Sequence, residues 1–181
     1  MDVGELVRVV ERAGRVKYLF FWGHRAGRAG AGPWCLSQWW PAAFAVDGVR
    51  YATAEHFMMA EKARLFGDAA TRAAILAAPH PARAKDLGRR VRGYDDAVWD
   101  EHRYDVVVRA NLAKFGQDED LRRYLCETGD RVLVEASPVD RVWGIGLTAD
   151  DARATRPADW PGRNLLGFAL MDVRDHLRRA A

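Results

Sequence analysis

The feature that most constrains this chain is its punctuation between residues 53 and 129, where helix-starting and helix-stopping residues recur at short intervals. Thr53 is placed to cap a helix over residues 54–66, which stops before Gly67. Asp68 caps the next, to about residue 77, and Pro79-His80-Pro81 separates a third over 82–90. Gly93 precedes a fourth, from about 95 to 114, and a fifth over 119–127 closes at Gly129. An amphipathic run over 164–179 makes a sixth. Strand signals are sparse: a dense apolar run at 17–22, a β-branched alternating run at 132–136, and the Asp47-Gly48 dipeptide of a type I′ hairpin with its second strand at 49–51. A further amphipathic stretch covers 3–11. The expected fold is α+β and predominantly α, a single helical domain over 1–181 with about six helices and a small antiparallel β element.

At 181 residues the chain is long enough to bury a core without staples. No stretch approaches the roughly 20 apolar residues of a membrane span. Residues 1–15 are charged throughout and lack a signal-peptide core, so a cytoplasmic protein with no membrane partner is expected. Cys35 and Cys126 are too few for a disulfide framework and have no zinc-ligand spacing, which makes both expected buried thiols. The net charge of +3 suits a phosphorylated substrate and equally an ordinary basic surface. Among 28 basic residues only Lys17, Lys62, Lys85 and Lys114 are lysine. An amine can lose its proton and attack a carbonyl carbon, whereas a guanidinium cannot, so these four positions are candidates for needing an amine.

Helical geometry gathers Glu55, Met58, Met59, Lys62 and Phe66 into an arc of roughly 100°, with Glu55 and Lys62 about 20° apart and about 10 Å apart along the axis. Two charges on an apolar face at that separation cannot pair with each other, so each needs another partner or a ligand. The competing reading is that Lys62 snorkels and Glu55 accepts first-turn amides. No His-Glu-x-x-His pattern exists, so no metal is expected. Ser37 and Ser137 sit in no Gly-x-Ser-x-Gly turn and neither Cys has a neighbouring base, which argues against acyl transfer. In residues 135–146, Asp140 precedes Trp143 by three residues at a strand exit, among glycines that admit a ligand or simply form a capped turn. Trp99, Arg103 and Tyr104 share a helix face that serves core packing or base stacking beside a phosphate. The cluster Arg89-Arg90-Val91-Arg92 is either a phosphate site or a solvated helix end.

Seven ordered motifs resemble the NADAR family of N-glycosidases. They are Phe21-Trp22-Gly23-His24, the run 36–40, Tyr51 through Ala63 with Glu55, His56 and Lys62, the run 84–89, Lys114-Phe115-Gly116-Gln117, the turn 140–146, and the run 162–167 with Asn164 and Gly167. The resemblance implies cleavage of a ribose C1′–N bond, in ADP-ribose attached to guanine (possibly carried in nucleic acid) or in early riboflavin-pathway ribosylamino-pyrimidine phosphates, with no cofactor. It implies that Glu55, His56, Lys62, Trp99, Asp140 and Trp143 form the site; together with the residues read above, the expected catalytic set is Glu55, Lys62 and Asp140 and the expected substrate-binding set Trp22, Gly23, His56, Arg89, Trp99, Arg103, Trp143, Gly144 and Asn164. The glycine-rich insertion at 27–32 departs from the family pattern and bears on access. The expected site lies where the 54–66 helix meets the Asp140 turn. A binding module for ADP-ribose or nucleic acid without turnover is the rival expectation, and a structural role would require residues 34–40 to form an exposed patch.

Overall fold

The computed structural model describes residues 1–25 and 30–180, so the insertion expected at 27–32 lies partly outside the described residues. Along the chain run α1 (Val3–Ala13), β1 (Tyr18–Phe21), β2 (Phe44–Val46), β3 (Val49–Tyr51), α2 (Ala54–Leu65), α3 (Ala69–Leu76), α4 (Pro81–Gly88), α5 (Asp96–Gly116), α6 (Glu119–Glu127), β4 (Val132–Glu135) and α7 (Leu165–Arg179). Short 3-10 turns occupy Pro33–Leu36 and Pro157–Asp159. The fold is α+β and mostly helical. The chain divides into two compact units, a terminal one formed by Met1–Ser37 with Asp120–Ala181 and a central one, Gln38–Glu119.

Seven α-helices are seen among the described residues, one more than the punctuation indicates. The extra one is α1, whose start carries a capping box: Glu5 N–H donates to Asp2 Oδ1 at 2.7 Å and Asp2 N–H to Glu5 Oε2 at 2.9 Å. The expected antiparallel element is β2–β3, closed by Asp47 and Gly48 at φ 50° and 76° as a type I′ turn demands. The strands at 18–21 and 132–135 pair with each other in parallel, Tyr18 opposite Val132 and Phe21 opposite Glu135. Composition signals that a strand exists but not its direction, which here depends on a long crossover between β1 and β4. Cys35 is buried as expected, whereas Cys126 is only half-buried. Residues 34–40 alternate buried and half-buried rather than forming an exposed patch.

In the central unit, α2 packs against α3, α4, α5 and β3 and is buried from Ala54 through Glu61. Phe57, Met58 and Met59 each contribute about 1.5–3 kcal/mol by leaving water. The approach of α4 is close enough that a Cβ at Gly88 would collide with the Met59 sulfur, so Gly88→Ala forces that side chain to move. The hairpin is pinned to the end of α5 by Gln117, whose Oε1 accepts from Ala45 N–H at 3.0 Å and whose Nε2 donates to Ala45 O at 2.7 Å. No helix among the described residues is long and apolar enough to cross a membrane.

Asp68 does more than cap α3. Its buried carboxylate accepts from Thr71 N–H and O–H, from Arg92 N–H at 3.0 Å, and from Arg92 Nη2 at 2.8 Å, tying α3 to the segment that precedes α5. The guanidinium first, then these amide and hydroxyl donors, hold the carboxyl well below the usual carboxylate range. Because the folded value lies below the unfolded one, roughly 3.9, the contribution to stability is fully present above that value and disappears as pH falls below it. Thermal unfolding of the wild type and Asp68→Asn should therefore differ most at neutral pH, with the gap narrowing steadily as pH falls below about 4; a gap independent of pH would contradict this.

Candidate active site

The central unit holds Glu55, His56, Lys62, Arg89, Trp99 and Arg103, and the terminal unit holds Trp22, Gly23, Asp140, Trp143, Gly144 and Asn164.

On α2, Thr53 Oγ1 accepts from the first-turn His56 N–H at 3.3 Å and is the N-cap. Glu55 is 2% exposed, and its N–H donates to Gln38 O at 3.0 Å. That carbonyl belongs to a residue whose side chain is also anchored, Gln38 Oε1 accepting from Asn111 Nδ2 at 2.9 Å. The start of α2 is thereby joined to the middle of α5. His56 has both ring nitrogens engaged: Nε2 lies 3.1 Å from Ala78 O and Nδ1 2.8 Å from Thr53 Oγ1. A carbonyl only accepts, so Nε2 carries the proton and Nδ1 accepts from the threonine hydroxyl. Burial pushes this imidazole toward its neutral form, against the pull of the Ala78 carbonyl. Its arrangement fastens α2 to the end of α3.

Lys62 is half-buried, with Nζ 3.8 Å from the centre of the Tyr94 ring and 5.7 Å from that of Trp99. Trp99 is buried on the first turn and a half of α5, and Phe66 meets Tyr94 edge-on at 5.3 Å. Burial lowers the amine's pKa from its ordinary value, and the charge of Asp96 works against that. Tyr94 O–H donates to Asp96 Oδ1 at 2.6 Å, and burial together with this bond pushes the phenol up to about 12. Arg103, a turn beyond Trp99, pairs with Asp100 and is largely covered. Arg89 is solvated and lies 3.4 Å from Asp86 in a surface pair worth little. Tyr94 and Asp96 are absent from the residues singled out in the sequence. Their only signal there is the Gly93-Tyr94-Asp95 step into a helix, and nothing in it points to a lysine 32 positions earlier.

In the terminal unit, Asp140 Oδ1 accepts from Val142 N–H and Trp143 N–H, both at 2.8 Å, so the local turn orients this carboxylate. Trp143 is half-buried. Trp22, directly after β1, is 59% exposed, and Gly23 follows it with φ 77°. The turn is stitched to the entry of α7 by Asn164 N–H to Gly144 O at 3.1 Å and Leu166 N–H to Trp143 O at 3.1 Å. A Cβ at Gly144 would meet Glu135 O at 2.8 Å, so the motif glycine here permits a close backbone approach. Asn164 is fully buried with φ 52°; its Oδ1 accepts from Glu135 N–H at 3.0 Å and its Nδ2 donates to Leu133 O at 2.9 Å. It is a clamp on β4. Among the described residues no three His, Cys, Asp or Glu side chains are grouped as metal ligands.

The NADAR domain profile matches residues 20–178. N-glycosidase R617 of Acanthamoeba polyphaga mimivirus is 44% identical over 164 residues, spanning 88% of this chain and 95% of that protein. N-glycosidase Npun_R5314 of Nostoc punctiforme is 35% identical over 144 residues, 80% of this chain and 85% of that one. The NMR structure of the E. coli protein YbiA is similar with a TM-score of 0.71 at 26% identity, covering 92% of this chain and 89% of its own.

Asn164→Ala leaves a buried strand amide and carbonyl without their partners and is expected to cost about 2–4 kcal/mol in urea unfolding. A loss below about 1 kcal/mol would show that water replaces the clamp.

Proposed function

This chain belongs to the NADAR domain family, with relatives at 35% and 44% identity that are named N-glycosidases, and from that premise we propose that it hydrolyses the bond between C1′ of a phosphorylated ribose and a nitrogen, with Lys62 capturing C1′. The substrate is ADP-ribose joined to guanine, free or within nucleic acid, or a ribosylamino-pyrimidine phosphate of early riboflavin synthesis. These share the one bond that breaks. The reaction needs no redox step and no cofactor.

The observation that supports this reading most directly is the Lys62 amine, half-buried between the Tyr94 and Trp99 rings with its pKa lowered by burial. A lowered pKa raises the free-base fraction at neutral pH, and only the free base attacks carbon. Once the ribose ring opens, C1′ stands at the aldehyde oxidation level. The amine adds there, the C1′–N bond to the base breaks as that nitrogen takes a proton, and the enzyme is left as a protonated imine at Lys62. Water then adds to the imine carbon and releases the amine, so the sum is one water consumed per bond cleaved. Glu55, on the same helix as Lys62, is the carboxylate assigned to proton transfer and to stabilising positive charge at C1′. Trp99 would stack the leaving base, and Arg103 and Arg89 would hold phosphate.

The test is to incubate the protein with ADP-ribosylated guanine substrates and with ribosylamino-pyrimidine phosphates and to measure free base by chromatography. The wild type should release base from at least one class, and Glu55→Gln should slow release by about 10²-fold or more while still binding. A module that recognises ADP-ribose without turnover would release none, and Glu55→Gln would alter only its affinity.

A further inference from the structure

We propose that Tyr94 and Asp96 are positioning residues for the Lys62 amine: the tyrosine ring is the floor on which the nitrogen rests, and Asp96 holds that ring in place through its hydroxyl. The inference rests on the reading that Lys62 captures C1′.

Tyr94 is 40% exposed, so core packing does not account for an aromatic residue at this position. Its surroundings are nonetheless specific. One ring face lies 3.8 Å from Lys62 Nζ, the Phe66 ring meets it at 5.3 Å with an interplanar angle of 71°, and the hydroxyl reaches Asp96 Oδ1 at 2.6 Å. Gly93, at φ 70°, turns the chain immediately before it, and Asp95 caps α5 immediately after it. The ring is thus held on both sides in sequence and by contacts in space. Trp99, one turn further on, forms the second aromatic face at 5.7 Å.

An aromatic face attracts a cation, and it does so for an ammonium and for a protonated imine alike. The same floor therefore serves Lys62 before attack and the C1′ adduct after it, without a counter-ion that would have to be displaced by the sugar. Asp96 adds a negative charge near the amine but points its oxygen at the phenol, so it sets the proton affinity of Lys62 without closing an ion pair over the nitrogen. A direct carboxylate–ammonium pair would block the lone pair; an aromatic hold leaves it available once the proton departs.

Two measurements on the full chain test this. The first needs no substrate: the pH dependence of Lys62 modification by trinitrobenzenesulfonate, read by peptide mass spectrometry, titrates the amine itself. Asp96→Asn should move that titration to lower pH by roughly half a unit, and an unmoved titration would overturn the role given to Asp96. The second is turnover. Tyr94→Leu should lower kcat about 10-fold or more with KM changed less than ~3-fold, while Tyr94→Phe, which keeps the ring but loses its tether to Asp96, should fall between the two, about 3-fold below wild type; a Tyr94→Phe enzyme equal to wild type would overturn the hold given to Asp96. Wild-type kcat in Tyr94→Leu would overturn the role given to the ring. If Lys62→Ala keeps full turnover, the covalent role of the amine falls, yet the titration still decides whether Asp96 acts on it.

Discussion

Helix α2 is buried on almost every side, and it carries Glu55, His56, Glu61 and Lys62 into that interior. Taking charge out of water is costly unless each group is answered, and the layout of the central unit is largely the set of answers. His56 is kept neutral between a threonine hydroxyl and a carbonyl. Glu61 receives Arg64 at 3.0 Å and Arg109 at 3.6 Å, and Arg109 reaches on to Asp47 in the hairpin turn. Lys62 is met by the faces of Tyr94 and Trp99. Side chains locked by such partners keep α2 in one orientation, which the proposed attack of Lys62 on a sugar carbon requires.

The terminal unit works through backbone rather than charge. The parallel β1–β4 pair ends at Phe21 and Glu135, and the segments leaving those ends carry Trp22 and Asp140. Close backbone approaches at Gly144 and Gly162, and the Asn164 clamp on β4, fasten the Asp140 turn to the start of α7. A Cβ at Gly167 would run into the Leu133 carbonyl oxygen and the Asn164 amide, so the run from Gly162 to Gly167 reads as a fastening in which side-chain volume is excluded.

Much of this was legible in the sequence because caps and turn residues are local physics. Thr53, Asp68 and the Asp47-Gly48 turn act where the sequence places them, and Gly67 and Gly129 take the positive φ that ends a helix. The pairing of β1 with β4 was not legible, since it joins residues more than 110 positions apart and strand composition carries no direction. Periodicity likewise placed Glu55 and Lys62 on one face of α2, but it described that helix as having a single apolar side when it is buried on almost every side from Ala54 to Glu61. Tyr94 and Asp96 escaped notice for the same reason as the strand pairing: their partner, Lys62, is distant along the chain. Asn164 stood out as part of a motif, yet only its contacts reveal that its amide grips β4.

The proposed reaction turns on Lys62 forming a covalent bond to C1′, and trapping that bond is its most direct test. The protein is mixed with the substrate from which it releases base, reduced with borohydride, and read by intact and peptide mass spectrometry. A stable adduct of the sugar phosphate on Lys62, absent from Lys62→Ala, is the predicted result. No adduct while base is being released, or an adduct that persists in Lys62→Ala, would contradict it.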